Sequence, residues 1–307
     1  MFSLKEYIKR SIGFDKLWLQ LNQKIDSQKI LSAKLLIAQN NKLEKINSLS
    51  DVEFSVFSQM GDDGIIQWLI NKIAIPEKLR TFIEFGVENY TESNTRFLLV
   101  NNNWSGFVMD GSEKNVNFIK NDFISWQFDL TSKAVFVNTK NINDEIKTAG
   151  FSGEIGILHI DIDGNEYWIW DAIDIVNPII VIVEYNSAFG NERAITIPYD
   201  PAFISSKSHY SRIYYGVSIK ALDHLAAKKG YTFVGCNSSG INAYFVRNDY
   251  ADRLVNAIER KEFVAAALKQ NRNEDGSLSY KKDVEIIKTI HKEVINVITN
   301  KAEPLNN

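Results

Sequence analysis

Short apolar runs alternate with segments of helical pattern from residue 81 onward. The runs are "TFIEF", "GFVMD", "ISWQFDL", "EIGILHIDI" and "IIVIVEY". The last two are nearly continuous in apolar residues, which is typical of strands that are covered on both faces in a parallel sheet. Strands that alternate with helices in this way predict a doubly wound α/β domain.

The end of the pattern departs from this alternation. A helical segment, "SIKALDHLAAKKG", ends at Gly230, and only a few Ser, Gly and Asn residues separate the following strands, "YTFVGCN" and "INAYFVR". So short a connection joins antiparallel strands, because a parallel crossover needs a dozen or more residues. The sequence therefore predicts a mostly parallel, seven-stranded, Rossmann-like sheet that closes with an antiparallel hairpin.

A helical extension is predicted before this domain, over residues 1–50. Its apolar residues have a partly heptad-like spacing: Leu17, Leu21, Ile25, Leu31 and Leu35. Three arrangements are open for it. It could pack on the domain, form a coiled-coil arm in a homo-oligomer, or present a basic helix to an acidic partner or a membrane surface.

The domain itself is placed at residues 51–250, and a second extension follows over residues 251–307. After Asp249 the pattern predicts helix to about residue 298, with a break around "NRNEDGSLS". Both extensions are therefore expected to be helical.

The composition mainly excludes certain kinds of site and certain classes of protein. The chain has 307 residues and a formal net charge of -3, which excludes general nucleic-acid binding through a basic surface. Its single cysteine, Cys236, cannot form an internal disulfide, and one Cys with four His excludes a Cys/His zinc cluster. No secretory signal is visible in "MFSLKEYIKRSIGF", and no apolar run is long enough for a transmembrane segment. A cytoplasmic location is the simplest expectation.

Carboxylates follow the predicted parallel strands. They are Glu84, Asp110, Asp129, Asp161 with Asp163, and Glu184. Ligands of open α/β sheets bind outside the carboxyl ends of the strands. Five acidic strand ends at one edge would form a strongly negative mouth, which requires hydrogen-bond donors, a cation or a cationic ligand.

Three positions near these strand ends have a specific chemical use. Gly86 lets the chain approach a ligand closely. Asp110 stands where an acidic side chain accepts hydrogen bonds from two ribose hydroxyls, although Asp before Gly is also a common turn pair. Asp129 stands where the exocyclic amine of adenine could be recognised. There is no GxGxxG segment, so a dinucleotide pyrophosphate site is not indicated.

A family resemblance rests on "FIEFGV" followed by "NT", on "WSGFVMDGS", "FDL" and "NIN", and on "HIDIDGNEYWIW". These segments resemble the class I S-adenosylmethionine-dependent methyltransferases, most of all the FkbM-like branch, many of whose members O-methylate sugars and natural products. The preceding segment "FSQMGDDGII" is also similar to one in related proteins. The resemblance covers roughly residues 54–247. It departs from the common acidic-x-Gly-x-Gly form at Glu88, where a second glycine is usual.

The resemblance implies S-adenosylmethionine as cofactor and a set of residues around it. Glu84, Gly86 and Val87 would line its methionine part, with Asp161 beside the methyl group. Asp110, Gly111 and Ser112 would hold the ribose, and Asp129 and Leu130 would flank the adenine. Asn94 and Thr95 would close the pocket, and Gln59 would reach it or cap a helix.

The pair Asp161 and Asp163 has three interpretations. With Glu184 it could bind Mg²⁺ or Mn²⁺ through oxygen ligands, as in some sugar O-methyltransferases of this fold. It could also supply a metal-free carboxylate base. In the third interpretation Asp163 only caps the helix that starts near Glu166. His159, just before the pair, is interpreted as a packed strand histidine.

A long segment, about residues 187–217, separates the fifth strand from the next helix. Loops of this length are often lids over a substrate. His209 in this segment is a candidate general base, so the candidate catalytic residues are Asp161, Asp163 and His209.

The sequence thus favours an S-adenosylmethionine-dependent O-methyltransferase that acts on a sugar or a related small metabolite. Two alternatives stay open. "DID" also matches the Asp-x-Asp motif of metal-dependent nucleotide-sugar glycosyltransferases, and the domain could be a degenerate cofactor fold that only binds partners.

Overall fold

A computed structural model describes residues 14–266 and 271–306. Its main element is a seven-stranded sheet with the strand order β3-β2-β1-β4-β5-β8-β7. The strands of this sheet are β1 (Thr81–Phe85), β2 (Ser105–Asp110), β3 (Leu130–Ala134), β4 (Gly153–Ile160), β5 (Val176–Glu184), β7 (Tyr231–Cys236) and β8 (Asn242–Arg247).

Strands β1 to β5 pair in parallel, whereas β8 runs antiparallel to both β5 and β7. Glu184 at the end of β5 lies opposite Asn242 at the start of β8. The start of β8 therefore shares an edge with the carboxyl ends of the parallel strands. This topology confirms the predicted doubly wound, mostly parallel, Rossmann-like sheet with its closing antiparallel hairpin.

Helices cover both faces of the sheet. The helices are α1 (Phe14–Asn40), α2 (Asp62–Ile73), α3 (Arg96–Asn102), α4 (Glu113–Asn121), α5 (Ile124–Gln127), α6 (Ile142–Thr148), α7 (Glu166–Ala172), α8 (Ser205–Ser208), α9 (Ile219–Lys229), α10 (Asn248–Ala251) and α11 (Asp283–Ile287). Short 3-10 helices cover Leu49–Val52, Glu77–Leu79, Ser187–Phe189 and Asp252–Leu254.

The continuous apolar run of β5 is explained by its position between two cores. Ile180 and Ile182 belong to the core on one face of the sheet, and Val181 and Val183 belong to the core on the other. Because side chains alternate across a strand, a strand buried on both faces needs apolar residues at successive positions.

The predicted third strand is wrong in its position. Ile124–Gln127 forms helix α5, and β3 begins only at Leu130. The Ser125 hydroxyl donates to the carbonyl of Ile119 at the end of α4, and Asp122 accepts from the amide of Ile124 at 3.4 Å. Hydrogen bonds from Ser and Asp to nearby backbone favour turns and helix ends over strands.

The N-terminal segment forms one helix, α1, whose packed face differs from the apolar row noted in the sequence. It contacts the domain through Ala33, Ile30 and Ile37, which pack with Val56 and Phe97. The predicted apolar row is exposed, with fractions of 65% at Leu17, 47% at Leu21, 44% at Ile25, 56% at Leu31 and 69% at Leu35. Residues 1–13 lie outside the described part of the chain. Within that part, no helix has the length and apolar character that crossing a membrane requires.

The prediction of a helical C-terminal extension is wrong over most of its length. Among the described residues after 251 the helices are all short, and β9 (Glu293–Asn296) and β10 (Lys301–Pro304) form a hairpin. β9 also pairs with β6 (Ile195–Thr196), which gives a second, three-stranded antiparallel sheet. Tertiary pairing decides the outcome here, because the apolar residues of this segment pack against β6 and its neighbours rather than along a helix face.

Candidate functional site

A cavity of about 620 Å³ opens at the edge where the parallel strands end. Its walls come from the segments after β1, β2, β3 and β4, from the last residue of β5, from the start of β8 and from the segment at residues 59–62. Ten of the residues selected from the sequence line it: Gln59, Glu84, Gly86, Val87, Asn94, Asp110, Gly111, Asp161, Asp163 and Glu184. The structure therefore brings together most of the predicted site.

Asp129 and Leu130 are not brought to the cavity. The carbonyl of Asp129 accepts from the amide of Gly106 at the start of β2, and Leu130 lies opposite Gly106 in the sheet register. Both residues therefore lie at the opposite edge from the cavity. β3 begins at Leu130, six residues after the predicted start at Ile124, so Asp129 and Leu130 lie at the amino end of the strand and away from the cavity.

The residues that do follow β3 at the cavity edge are Val135, Phe136 and Val137. Phe136 is 51% exposed, and its ring lies beside Gly111. An exposed aromatic ring next to Asp110 provides a flat apolar surface for a planar ring system. The sequence analysis missed it because the strand was placed too early in the chain.

Asp110 accepts three hydrogen bonds at the end of β2. They come from the backbone amides of Glu88 at 2.9 Å and Ser112 at 2.8 Å and from the side-chain amide of Asn115 at 3.0 Å. These contacts fix the orientation of the carboxylate at the cavity wall. Ser112 itself caps helix α4 by accepting from the amide of Asn115, and it does not line the cavity.

The backbone at position 86 requires glycine, not only to let a ligand approach, as the sequence suggested, but also to fit against the loop after β4. Its φ is 74°, and a Cβ at this position would lie 1.6 Å from the carbonyl oxygen of Asp161. No side chain can occupy that space without moving the loop after β4. Gly86 therefore sets the close approach of the two loops on which the site is built.

Glu88, which stands where the sequence resemblance led us to expect a second glycine, has a glycine-like backbone. Its φ is 47°. A non-glycine residue in this region costs roughly 1–2 kcal/mol. The loop therefore keeps the same conformation with glutamate at position 88, and the strained backbone lowers the stability of the folded protein.

Glu84 holds the loop after β1 in place through hydrogen bonds within the protein. Its carboxylate accepts from the Ser93 hydroxyl at 2.5 Å, from the Thr95 hydroxyl, and from the backbone amides of Asn94 at 3.1 Å and Thr95 at 3.2 Å. Thr95 thus acts through Glu84 and does not line the cavity.

His159 is the buried partner of this carboxylate, which confirms its interpretation as a packed strand histidine. Its Nδ1 lies 2.9 Å from Oε1 of Glu84, and its Nε2 lies 3.3 Å from Nδ2 of Asn94. Burial by itself lowers the pKa of His159, but the hydrogen bond to Glu84 and the charge of that carboxylate raise it above its ordinary value. Burial likewise raises the pKa of Glu84, but the hydrogen bond and charge of His159 bring it below its ordinary value.

Asp161, Glu166 and Glu184 form a second group of carboxyls between β4 and β5. Burial, followed by the charges of neighbouring carboxylates, raises the pKa of Glu184 well above its ordinary value. Burial also raises the pKa of Asp161 to about 6 and that of Glu166 to about 8. Protons are therefore shared within this group near neutral pH.

The loop between β4 and α7 is held by Glu166, not by a cap from Asp163. Oε1 of Glu166 accepts from the amide of Gly164 at 2.6 Å and from that of Ile162 at 3.2 Å. Asp163 is exposed, has a φ of 57° and lies at the cavity wall. The capping interpretation of Asp163 is therefore wrong, and its carboxylate is available to the cavity.

The metal prediction lacks geometric support. Within residues 14–266 and 271–306, no group of three or more His, Cys, Asp or Glu side chains is arranged to hold a metal ion. Asp161, Asp163 and Glu184 line one cavity but do not form a ligand set of that kind. The residues present do not fit a resident divalent cation.

His209 is not part of the site. Its Nδ1 lies 2.7 Å from the Ser211 hydroxyl, its ring packs against Tyr210, and it is absent from the cavity lining. Phe203 is the residue of the 187–217 segment that does line the cavity among the described residues, and its ring occupies the space above Gly164. The long segment thus contributes an aromatic wall and no general base.

A further acidic pair comes from "QMGDDGII". Asp62 accepts from the Tyr244 hydroxyl and from the side-chain amides of Asn237 and Asn242, both at 3.1 Å, and it lines the cavity. Asp63 accepts from the backbone amides of residues 56, 57 and 58 at 2.7–2.9 Å. The adjacent aspartates of this motif could have revealed this part of the site from the sequence. Two adjacent buried carboxylates need hydrogen-bond donors from different segments of the chain.

Comparisons with known proteins add the following. No protein-family model and no curated protein matches the chain. Among solved structures, an O-methyltransferase from Bacillus cereus in complex with SAH is similar over 72% of this chain and 91% of its own, with 13% identity and a TM-score of 0.40. An S-adenosylmethionine-dependent methyltransferase from Clostridium acetobutylicum covers 54% of this chain and 83% of its own, at 10% identity and a TM-score of 0.34. TrmK from M. capricolum in complex with S-adenosylhomocysteine covers 66% of this chain and 71% of its own, at 10% identity and a TM-score of 0.32.

Proposed function

We propose that this chain is an S-adenosylmethionine-dependent methyltransferase that methylates an oxygen of a small, polyhydroxylated acceptor such as a sugar. The observation that carries the proposal is the oriented Asp110 carboxylate at the end of β2, beside Phe136 and an open cavity at the switch point of the sheet. Nucleoside ligands of open α/β sheets bind at this place.

The cavity wall near β1 and β2 fits the cofactor. Asp110 would accept hydrogen bonds from the ribose hydroxyls, and Phe136 would stack on the adenine in place of the contacts first expected from Asp129 and Leu130. The loop at Gly86 and Val87, with Asn94, would hold the methionine part. A volume of about 620 Å³ is within the ordinary range for a cofactor site.

The charge of the cavity favours this cofactor over a nucleotide sugar. The described lining includes eight acidic residues and neither Lys nor Arg: Asp62, Glu84, Glu88, Glu92, Asp110, Asp161, Asp163 and Glu184. A diphosphate would find no Lys or Arg there, and His159 is already paired with Glu84, whereas a sulfonium with a protonated amine would be attracted. This supports the methyltransferase over the glycosyltransferase alternative.

Asp161 is the proposed base. When bound, S-adenosylmethionine supplies a methyl group on a positively charged sulfur, which is a good leaving group. Asp161 would accept the proton of the acceptor hydroxyl, and its pKa of about 6 is close to the operating range of a general base. Glu184 would hold the Asp161 carboxyl in place.

Isothermal titration calorimetry tests the proposal directly. We expect S-adenosylmethionine and S-adenosylhomocysteine to bind with or without Mn²⁺, and UDP- and GDP-sugars not to bind. Binding of nucleotide sugars that depends on Mn²⁺, without binding of either methionine cofactor, would establish the glycosyltransferase alternative. Absence of binding by both classes would favour a degenerate cofactor fold.

We also propose that the exposed apolar row of α1 mediates self-association. Five large apolar side chains along one helix are exposed to solvent. Contiguous exposed apolar surface of this kind is typical of interaction sites. This proposal is independent of the cofactor assignment.

A further inference from the structure

We propose that the acceptor carries a carboxylate, as a sugar acid does, and that Lys207 and Lys292 bind this group in a second cleft beside the main cavity. The proposal rests on the proposed function, because it names a chemical group of the acceptor. It gives the 187–217 segment a role in acceptor binding.

The second cleft adjoins the main cavity at one aromatic side chain. Phe203 lines both the cavity and this cleft, which has a volume of about 470 Å³. The 187–217 segment supplies Ile197, Lys207 and Tyr214 to the cleft, and the C-terminal residues supply Lys292. An acceptor whose hydroxyl lies in the cavity would therefore extend past Phe203 into the cleft.

Hydrogen bonds hold the cleft against the loop after β4. The carbonyl of Asp200 accepts from Nδ2 of Asn165 at 2.8 Å, and the carbonyl of Ile197 accepts from Nε1 of Trp168 at 2.9 Å. Asn165 lines the main cavity, whereas Asp200 and Ile197 line the cleft. The position of one space relative to the other is therefore fixed by contacts within the folded chain.

The charge of the second cleft is opposite to that of the main cavity. Its described lining contains two basic residues, Lys207 and Lys292, and one acidic residue, Asp200. Oδ1 of Asp200 accepts from the amide of Ala202 at 2.9 Å. Within residues 14–266 and 271–306, neither lysine ammonium forms an ion pair with a carboxylate. Both positive charges are therefore available to an anionic ligand.

The ammonium of Lys292 lies close to the segment that carries Lys207. Its Nζ lies 5.1 Å from the centre of the Tyr214 ring, and the carbonyl of Tyr214 accepts from the Ser208 hydroxyl at 2.7 Å. Burial, followed by the charge of Lys292, lowers the pKa of His209. The contacts at Ser208 and the charge felt at His209 both place Lys292 near the end of α8, where Lys207 stands.

Apolar side chains lie next to these two charges. The rings of Phe203 and Tyr214 and the side chain of Ile197 all line the cleft. Aromatic side chains pack against apolar faces of a ligand, whereas ammonium groups bind an anion. The cleft therefore fits a ring-shaped ligand that carries an acidic group.

A carboxylate matches the charge of the cleft better than a phosphate does. Two lysines and one aspartate give the described lining a formal charge of +1, which a single carboxylate balances. A phosphate monoester carries about −1.5 to −2 at neutral pH, so it would leave excess negative charge beside an acidic cavity. The diphosphate of a nucleotide sugar has the same disadvantage, in agreement with the expectation that such sugars do not bind.

Matched pairs of sugars test the proposal in protein that is saturated with S-adenosylhomocysteine. The pairs are glucuronate with glucose and galacturonate with galactose, and ligand-observed NMR or calorimetry measures their binding. We expect the acid of at least one pair to bind about fivefold more tightly than its neutral partner, or better, because two partly exposed ion pairs contribute this much. Glucose 6-phosphate should bind no more tightly than glucuronate.

Two double variants with the same change in net charge locate the bound carboxylate. Lys207→Gln with Lys292→Gln should remove the preference for the acid and leave the Kd of S-adenosylhomocysteine unchanged. Lys78→Gln with Lys147→Gln is the control and should keep the preference. These two exposed lysines precede β1 and β4, at the edge of the sheet opposite the cavity.

Several results would overturn the proposal. They are equal binding within both pairs, a preference that persists in Lys207→Gln with Lys292→Gln or is lost in the control, acid binding that occurs only without S-adenosylhomocysteine, and tighter binding of glucose 6-phosphate. Protein that binds no S-adenosylhomocysteine would instead overturn the proposed function and, with it, this proposal. Because the preference is first measured in the unaltered protein, the test does not depend on the folding of any variant.

Discussion

At the residue scale, the site depends on carboxylates whose surroundings give them different tasks. Glu84 is saturated by donors and paired with His159. Asp110 is oriented by three donors at the cavity wall. Asp161 and Glu184 lie in a group where burial favours the protonated form. The same side-chain chemistry therefore supports the fold at Glu84 and is proposed to serve cofactor binding at Asp110 and proton transfer at Asp161.

Asp110→Ala should weaken the binding of S-adenosylhomocysteine. Loss of hydrogen bonds to a charged group costs about 1.5–3 kcal/mol, which is roughly a ten- to hundredfold increase in Kd. Calorimetry measures this change. Asp129→Ala is the matched control, since Asp129 lies at the opposite sheet edge and its substitution should leave the Kd unchanged. Equal losses in both variants would contradict the assigned site.

Glu166→Gln should make the stability of the protein less sensitive to pH. The pKa of Glu166 is raised from an ordinary 4.5 to about 8. Between these values the folded protein holds a proton that the unfolded chain has released, so the free energy of unfolding falls as pH rises. Glutamine removes this penalty while its side-chain oxygen still accepts from Gly164.

Thermal unfolding checks this prediction. The melting temperature of Glu166→Gln should match that of the unaltered protein near pH 4.5 and exceed it near pH 8, the window set by the two pKa values. The exposed Asp174→Asn serves as control and should show no such divergence. A lower melting temperature of Glu166→Gln at the higher pH would contradict the assignment of a buried proton.

At the scale of elements, the strand ends and the segments after them decide the site. The loop after β1 and the loop after β4 touch at Gly86, and the loop after β3 supplies Phe136. The second sheet, formed by β6, β9 and β10, ties the 187–217 segment to the C-terminal residues. Phe203 in that segment then becomes part of the cavity wall.

Leu305→Ala should destabilise this second sheet. Leu305 is 1% exposed and packs with Ile195, Ile290 and Val294. Truncation of a buried leucine costs about 2–5 kcal/mol. Hydrogen exchange of β6 and β9 and urea unfolding measure the effect. Ile298→Ala, at a side chain that is 58% exposed, should change neither; an equal loss there would show that the segment does not pack as described.

The two extensions show which sequence patterns are reliable. Amphipathic spacing correctly indicated a helix at α1 but not the face that packs, because exposed and packed apolar residues have the same spacing. The helical prediction after residue 251 failed because β9 and β10 gain their hydrogen bonds from each other and from β6. Pairing with a strand that is almost a hundred residues away leaves no local signal.

At the scale of the whole molecule, charge is unevenly placed. The formal net charge is only -3, yet eight acidic residues face one cavity, and the described lining lacks Lys and Arg. A cavity of this kind concentrates cations and repels phosphates. Elsewhere on the molecule, α1 presents its apolar row to solvent.

Self-association through α1 is the prediction at this scale. Light scattering should give a mass above the 35.0 kDa of one chain. Replacing Leu31 and Leu35, which are 56% and 69% exposed, by Glu should reduce it to that value without loss of helix. Phe118→Glu, at a side chain of α4 that is 50% exposed, is the control and should not change the mass. A single-chain mass for the unaltered protein would contradict the prediction.

The sequence by itself determined the sheet class, the closing hairpin and most of the cavity wall. Continuous apolar strands and short connections are local in the chain, and carboxyl ends of parallel strands must meet at one edge. Only the tertiary structure decided that Asp129 lies at the sheet edge opposite the cavity and that His159 and neighbouring donors fill the hydrogen-bonding capacity of Glu84. It also decided that the C-terminal residues form strands. These features depend on register and on partners from distant segments, because hydrogen bonds and burial are set by neighbours in space rather than in sequence.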